Sequence, residues 1–427
     1  MTGTGDVLPR DAVQAVDAVG EADVLIGIPS FNNARTIGHV VEAAHAGLEK
    51  YFPGLRTLIV NSDGGSTDGT QEIVTGLHMP SSEVLLISHP VRPVHRLTIP
   101  YHGIPGKGSA FRCLFGVASR LGAKACAVVD SDLRSISPEW IQLLVAPVLE
   151  QGYDYVAPYY FRHKYDGTIT NNIVYPMTRA LYGQRVRQPI GGDFGFSGQL
   201  AAHYLNQPVW GTDVARYGID IWMTTTAICD GFRVCQAYLG SKLHDAKDPG
   251  SDLSAMLVQV VGTLFSLMET HEDRWLAVAG SIDAPLMGFR FAVGVEPIQV
   301  DVDRMVRHFR TGVENLRDVW AQVINHCDLW ALEAAALADV GRFRLDDELW
   351  VRIVYDIAVA YHRGQIDREQ LIRSSLPLYM GRVASFVREL ADLEAPGVER
   401  RLEQLCLQFE SAKPYLVDRW RSPGELR

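Results

Sequence analysis

Between residues 22 and 133 short apolar runs alternate with stretches whose apolar residues recur at helical spacing, and the runs stop at polar turns. Ala22–Ile28, with Val24, Leu25, Ile26 and Ile28, breaks at Pro29-Ser30-Phe31-Asn32-Asn33. Leu55–Val60 runs into the Gly-rich turn Asn61-Ser62-Asp63-Gly64-Gly65-Ser66-Thr67-Asp68-Gly69-Thr70. Val84–Ser88 runs into a Pro- and His-rich loop, 89–106, and Ala125–Val129 into Asp130-Ser131-Asp132. Between these runs, Ala34–Lys50 sets Ile37, Val40, Val41, Ala44 and Leu48 on one helical face, and Gln71–Leu77 and Ser109–Leu121 also read as helices. Strands and helices alternating in this way imply a parallel sheet with right-handed crossovers. The carboxyl ends of its strands converge on one edge, where open α/β sheets bind ligands.

The fourth run carries the chemistry. Alternate residues of an extended chain point the same way, so Asp130 and Asp132 face one side just past the strand end. Two hard oxygen ligands there suit Mg²⁺ or Mn²⁺, and a divalent ion suits a diphosphate. The competing role, capping the next helix, is better filled by Ser137-Pro138-Glu139. Lys107, between Gly106 and Gly108, offers a phosphate an ammonium and two backbone N–H groups, or is a solvated loop residue. Pro29, Ser30 and Asn32 end the first strand in a loop able to hold a base and ribose. Asp63 is an acceptor suited to a base N–H or a ribose hydroxyl, or a stabiliser of its own Gly turn.

Further on, Tyr153–Tyr160 reads as a strand and Thr170–Tyr182 as a helix with Pro176 as a point of interruption. Gln188-Pro189-Ile190-Gly191-Gly192-Asp193 is a turn that brings bare backbone close to a ligand. Gly198–Leu205 and Asp220–Asp230 read as helices. Phe232–Leu239 reads as a strand entering Gly240-Ser241-Lys242-Leu243-His244-Asp245, and Ser254–Met268 as an amphipathic helix. Beyond about residue 275 glycine thins out and helical periodicity takes over. The expected division is a disordered leader at 1–21, an α/β domain at 22–279 and a helical domain at 280–427.

The chain of 427 residues is long enough for a large core and more than one domain, and its 47% hydrophobic and 21% charged residues are those of a globular protein. A net charge of −10 argues against sequence-independent nucleic-acid binding. Six scattered cysteines without a CxxC pair read as reduced thiols. No run of 18 apolar residues and no basic-then-apolar start occur, so the expectation is a cytoplasmic chain with no integral membrane segment. An exposed helical tail leaves room for a homodimer.

The ordered set Ile28-Pro29-Ser30-Phe31-Asn32, Asn61 to Asp68, Pro105-Gly106-Lys107-Gly108 and Asp130-Ser131-Asp132 resembles the GT-A-fold glycosyltransferases. Three further stretches are similar to the retaining glucosyl-3-phosphoglycerate and mannosylglycerate synthases: Gln188 to Asp193, Gly218-Ile219-Asp220, and Lys242 to Asp245 leading into Leu253–Met256. The resemblance covers roughly residues 22–270. It implies a Rossmann-like GT-A domain that binds a UDP- or GDP-hexose with a divalent cation, Mg²⁺ or Mn²⁺. Asp132 and His244 would bind the metal, Asp130 and Ser131 the ribose or sugar, Asp63 the nucleotide and Lys107 its phosphates. Thr170 with the Gly191-Gly192 backbone would hold an acceptor carboxylate, and Asp220 would orient the acceptor hydroxyl or the sugar, unless it caps the helix it opens.

Two positions depart from that pattern. Asp193 stands where the family usually has Glu, and Thr168 where phosphate-accepting relatives have Arg, which favours glycerate over 3-phosphoglycerate unless Arg185 or Arg187 substitutes. The expected reaction is retaining hexosyl transfer to a small carboxylate acceptor. An inverting enzyme acting on a polysaccharide or lipid would need a carboxylate base, for which Asp193 and Asp220 are the candidates. A nucleotidyltransferase would want a basic Gly-rich signature after the first strand, absent from Pro29–Ala34. A non-catalytic sugar-nucleotide-binding protein would not need Lys107, Asp132 and His244 together.

Overall fold

The computed structural model describes residues 7–77, 83–88, 106–243, 254–290 and 294–422. Its strands are β1 (Val24–Ser30), β2 (Thr57–Asp63), β3 (Glu83–Ser88), β4 (Ala125–Val128), β5 (Tyr155–Phe161), β6 (Gln184–Arg185), β7 (Phe194–Ser197), β8 (Val234–Ser241), β9 (Ile282–Asp283) and β10 (Leu286–Met287). The helices that frame the sheet are α1 (Arg10–Val19), α2 (Ile37–Tyr51), α3 (Thr70–Gly76), α4 (Lys107–Leu121), α5 (Pro138–Gln151), α6 (Tyr175–Tyr182), α7 (Gly198–Leu205), α8 (Ile219–Cys229) and α9 (Ser254–Thr270).

The chain divides into two units. One comprises Met1–Phe161, Arg187–Ala246 and Ala284–Val295, the other Arg162–Val186, Lys247–Asp283 and Glu296–Arg427. The helical unit thus draws on both sides of residue 280, because α9 buries its apolar residues against the helices Asp347–Arg363 and Arg368–Ser374.

The first unit holds an eight-stranded sheet in the order β10-β8-β5-β7-β4-β1-β2-β3. The expectation of a parallel sheet needs one correction: β7 runs antiparallel between β4 and β5. It escapes a periodicity reading because it is the four residues Phe-Gly-Phe-Ser. A Cβ on Gly195 would lie 2.0 Å from the Leu144 carbonyl oxygen, so only glycine lets α5 come this close. Alternate residues of β1 serve opposite faces: Val24, Ile26 and Ile28 join α2 and α5 in one core, while Gly27 leaves room for Leu114 of α4.

The expected disordered leader is corrected from residue 7 onward. Leu8, just before α1, and Ala12 and Val16 on it are buried, and Arg120 of α4 donates to Asp17 at 2.6 Å.

In the second unit, Val302–Trp320 packs against Leu376–Leu390 and Ala395–Ser411 against α6, while β6 and β9 form a short parallel pair. The interruption expected at Pro176 takes the form of a π turn, Thr170–Val174, passing into α6. Proline has no N–H to offer the carbonyl four residues back. That carbonyl, of Asn172, accepts instead from the Trp350 indole N–H at 2.9 Å. No helix among the described residues is long and apolar enough to cross a membrane.

Candidate active site

The carboxyl ends of β1, β2, β4 and β8 lie on one edge of the sheet, and β7, running the other way, delivers its amino end to that same edge. Val128 pairs with Phe194 across β4 and β7, so Asp193 stands beside the end of β4. Its Oδ1 accepts from the Asp130 backbone N–H at 2.7 Å. Asp193 Oδ2 accepts from the Tyr160 hydroxyl and, at 2.7 Å, from Lys242 Nζ. Asp193 is wholly buried, with both oxygens engaged inside the protein. This corrects the expectation of a catalytic Asp193: it builds the site and does not face a substrate.

Asp130 lies between two ammonium groups. Lys107 Nζ is 2.9 Å from Oδ1, and Lys242 Nζ donates to Oδ2 at 2.7 Å. Burial opposes its ionisation, but these two cations prevail and hold the carboxyl well below the usual range. The same ion pairs outweigh the burial of Lys107 and raise its pKa. Lys107 also reaches Asp220, at 3.3 Å from Oδ1 and 3.4 Å from Oδ2. Asp220 is the second residue of α8 and Gly218 precedes that helix as its cap, so Asp220 does not cap it. Its Oδ1 is buried with no hydrogen bond among the described residues. Burial, offset in part by Lys107, raises its pKa.

The flanking glycines of Lys107 serve a purpose not foreseen. A Cβ would fall 2.1 Å from Ala215 O at Gly106 and 1.8 Å from Val214 O at Gly108. The Gly108 N–H donates to Arg216 O at 3.1 Å. The pair therefore seats the start of α4 against the 214–216 turn, and the expectation that both N–H groups await a phosphate is corrected for Gly108.

The base-side loops are tied together. Asp63 accepts from Ser30 Oγ at 2.9 Å, Ser66 Oγ at 2.6 Å, Ser66 N at 2.8 Å, Gly65 N at 2.9 Å and Gln71 Nε2 at 2.6 Å. These donors fill the carboxylate's capacity, and here the turn-stabilising reading of Asp63 describes the geometry. Asn32, in the left-handed region at φ 54°, accepts from Thr67 N at 2.9 Å. Pro29 is the penultimate residue of β1. Ser131, buried, donates to Asn33 Oδ1 at 2.8 Å, and its carbonyl accepts from Thr36 Oγ1 at 2.7 Å.

The Gly191-Gly192 turn sits against Asp130. Gly192 has φ +90°, and a Cβ there would lie 2.2 Å from Asp130 Oδ2. Gly191 O accepts from Lys242 Nζ at 2.8 Å. Among the described residues neither glycine amide has a hydrogen-bond partner. Thr170 belongs to the helical unit, buried on the π turn. Thr168 there shares a hydrogen bond of 2.6 Å with the Tyr379 hydroxyl, and Arg185 donates to Ser281 at 2.9 Å.

Of the expected metal ligands, Asp132 lies in the turn after β4, and His244 lies outside the described residues. Among the described residues there is no ready-made cluster of metal-ligating side chains. The charges nevertheless fit a cation: in the ion-paired cluster at this edge Asp130, Asp193 and Asp220 outnumber Lys107 and Lys242. Both Asp130 oxygens are engaged by ammonium groups.

Lys242 and Tyr160 were missed by sequence reasoning. Lys242 stood inside the Lys242-Leu243-His244-Asp245 stretch, so the available signal was its position at a strand end beside an expected ligand.

Residues 25–200 match the model of glycosyl transferase family 2. Among solved structures, glucosyl-3-phosphoglycerate synthase from Mycobacterium tuberculosis in complex with Mn²⁺, uridine diphosphate and glucosyl-3-phosphoglycerate is 24% identical, with a TM-score of 0.44 over 62% of this chain and 84% of that one. The complex with Mg²⁺ and uridine diphosphate is 23% identical, with the same TM-score and the same coverage of 62% and 84%. A search of curated proteins finds no match. Residues 25–200, which run from β1 to α7 and include Lys107, Asp130 and Asp193, thus match a glycosyl transferase family 2 domain.

Proposed function

We propose that the chain moves a hexose, glucose or mannose, from a UDP- or GDP-sugar to a hydroxyl of a small carboxylate acceptor, D-glycerate or 3-phosphoglycerate, with retention at the anomeric carbon. The observation that carries this reading is the pairing of Lys107 with Asp220. A partly accessible ammonium, positioned for a diphosphate, sits beside a buried carboxylate that keeps one oxygen without a hydrogen bond among the described residues. The neighbouring solved structures are too distant to bring their ligands to this chain. The residues that support the reading are its own.

Asp132 and His244 would hold Mg²⁺ or Mn²⁺, which as a Lewis acid neutralises the leaving diphosphate. Lys107 adds a charge-assisted contact to the same phosphates. Asp220 orients the acceptor hydroxyl, and the Gly191 and Gly192 amides, without a hydrogen-bond partner among the described residues, suit its carboxylate. Attack on the face the diphosphate leaves lets the departing phosphate oxygen take the hydroxyl proton, so no protein nucleophile is required. The engaged Asp193 agrees with that. Pre-aligned reactants supply the remaining advantage.

The test mixes the protein with UDP-glucose, GDP-glucose or GDP-mannose, each with Mg²⁺ or Mn²⁺, and with D-glycerate or 3-phosphoglycerate, following products by NMR. An α-anomeric glycosylglycerate, lost on chelation or in His244→Ala, is the expected result. A β-anomer overturns retention and favours an inverting enzyme with Asp220 as base, for which its raised pKa would fit. Nucleotide-sugar binding without transfer to either acid points to another acceptor, polysaccharide or lipid, or to a non-catalytic binder.

A further inference from the structure

The two lysines of the site are held in unlike ways. Lys242 Nζ has three acceptors converging from two other stretches of chain: Asp130 Oδ2 at 2.7 Å, and Asp193 Oδ2 at 2.7 Å and Gly191 O at 2.8 Å. An ammonium has three protons, so these contacts occupy all of them. Its side chain is 4% exposed, against 18% for Lys107. Among the described residues the ion-pair partners of Lys107 are the carboxylates Asp130 and Asp220, and its contacts with Asp220 are the long ones, 3.3 and 3.4 Å.

We infer that Lys242 is a positioning residue: it fixes Asp130 and the Gly191-Gly192 turn, and leaves Lys107 as the ammonium that transfers to the donor's diphosphate. This deepens the nucleotide-sugar reading of the site and rests on it. A diphosphate competes for Lys107 against two carboxylates. When Lys107 turns to it, Asp130 stays neutralised by Lys242 and held through its backbone N–H by Asp193. Without Lys242, Asp130 would be drawn after Lys107, and Asp193 would be a buried, uncompensated charge. Arginine is no substitute, because its planar fork cannot aim donors at three acceptors grouped around one nitrogen.

The experiment compares wild type, Lys107→Met, Lys242→Met and the double variant Asp193→Asn/Lys242→Met. Binding of UDP and of GDP is measured by calorimetry, and turnover with the donor and acceptor that the wild type uses. Lys107→Met is expected to weaken the diphosphate about tenfold or more, Lys242→Met less than about threefold. In Lys242→Met kcat falls about 10²-fold while the donor KM holds, the signature of a misplaced rather than a missing contact. The double variant removes one buried charge of each sign. It is expected to regain thermal stability and keep the low kcat, and it carries the test if Lys242→Met does not fold. Diphosphate binding lost equally in both lysine variants, or kcat returning with stability in the double variant, overturns the inference. Wild type that binds a diphosphate but transfers to no acceptor tried sinks the acceptor reading alone, and the binding comparison still decides Lys242. Wild type that binds neither nucleotide overturns both.

Discussion

Each unit of this chain buries an ionic cluster, and the two clusters close differently. In the helical unit Arg382 and Arg401 face Asp347 and Glu389, two cations against two carboxylates. Arg382, fully buried, also donates to Asn172 Oδ1 at 3.0 Å and Leu345 O at 2.9 Å. In the sheet unit three carboxylates, Asp130, Asp193 and Asp220, face two lysines, and Lys107 meets Asp220 only at 3.3 and 3.4 Å. A cluster that serves only folding balances its own charge. A cluster that serves binding leaves charge and hydrogen-bonding capacity for what it binds, and perturbed groups collect there.

The strongest way to break this contrast is to open the closed cluster. Arg382→Met leaves Asp347 and Glu389 short of a partner in a dry environment, and removing one side of such a pair costs about 4 kcal/mol. Urea unfolding of the helical unit should show that loss, with UDP and GDP affinity unchanged within about twofold. A loss below about 1 kcal/mol would mean that the balanced cluster contributes little to folding, and the contrast with the site would fall.

A smaller effect comes from the acid in the helical unit that does not follow its neighbours. Burial pushes the Asp356 carboxyl up to about 6, with Arg419 and the Tyr415 hydroxyl opposing it in part. Its Oδ1 accepts from that hydroxyl at 2.7 Å, and Oδ2 has no hydrogen bond among the described residues. The folded chain therefore binds this proton more tightly than the unfolded chain, whose acid has a pKa of 3.8. Its contribution is fully present below 3.8 and is lost as pH rises through about 6, in total about 3 kcal/mol. Unfolding curves between pH 4 and 7 should show Asp356→Asn gaining on the wild type by that amount. Parallel curves would remove Asp356 as an exception.

What could be read from sequence follows the same division. β1, β2 and β4 announce themselves because apolar runs end at polar turns, and Asp130, Lys107 and Asp220 are legible because each sits where a ligand-binding edge needs a charge. β7 is hidden by its brevity and by Gly195, and α1 by a leader of small and polar residues whose one apolar stripe packs on α4. Lys242 is hidden for a chemical reason: a lone lysine at a strand end reads as solvated, and only the converging carboxylates of two other segments bury it. Conversely, Asp63 looks available in sequence and is consumed by its own turn.

The finest test sets one glycine in each unit against the other. Gly192 and Gly364 both occupy the left-handed region, at φ +90° and +63°. A Cβ on Gly364, the cap of the helix Asp347–Arg363, meets nothing within 4 Å, whereas one on Gly192 would lie 2.2 Å from Asp130 Oδ2. Gly364→Ala therefore carries only the backbone cost, about 1 kcal/mol, with turnover unchanged. Gly192→Ala carries that cost and also displaces a carboxylate tied to two lysines, so its stability loss should reach about 2 kcal/mol. Its kcat should fall about tenfold while diphosphate affinity holds, since Lys107 remains free to meet the phosphates. Equal losses of stability and unchanged kcat in both variants would show that the turn's approach to Asp130 is incidental, and that the open cluster, like the closed one, serves only to hold the fold.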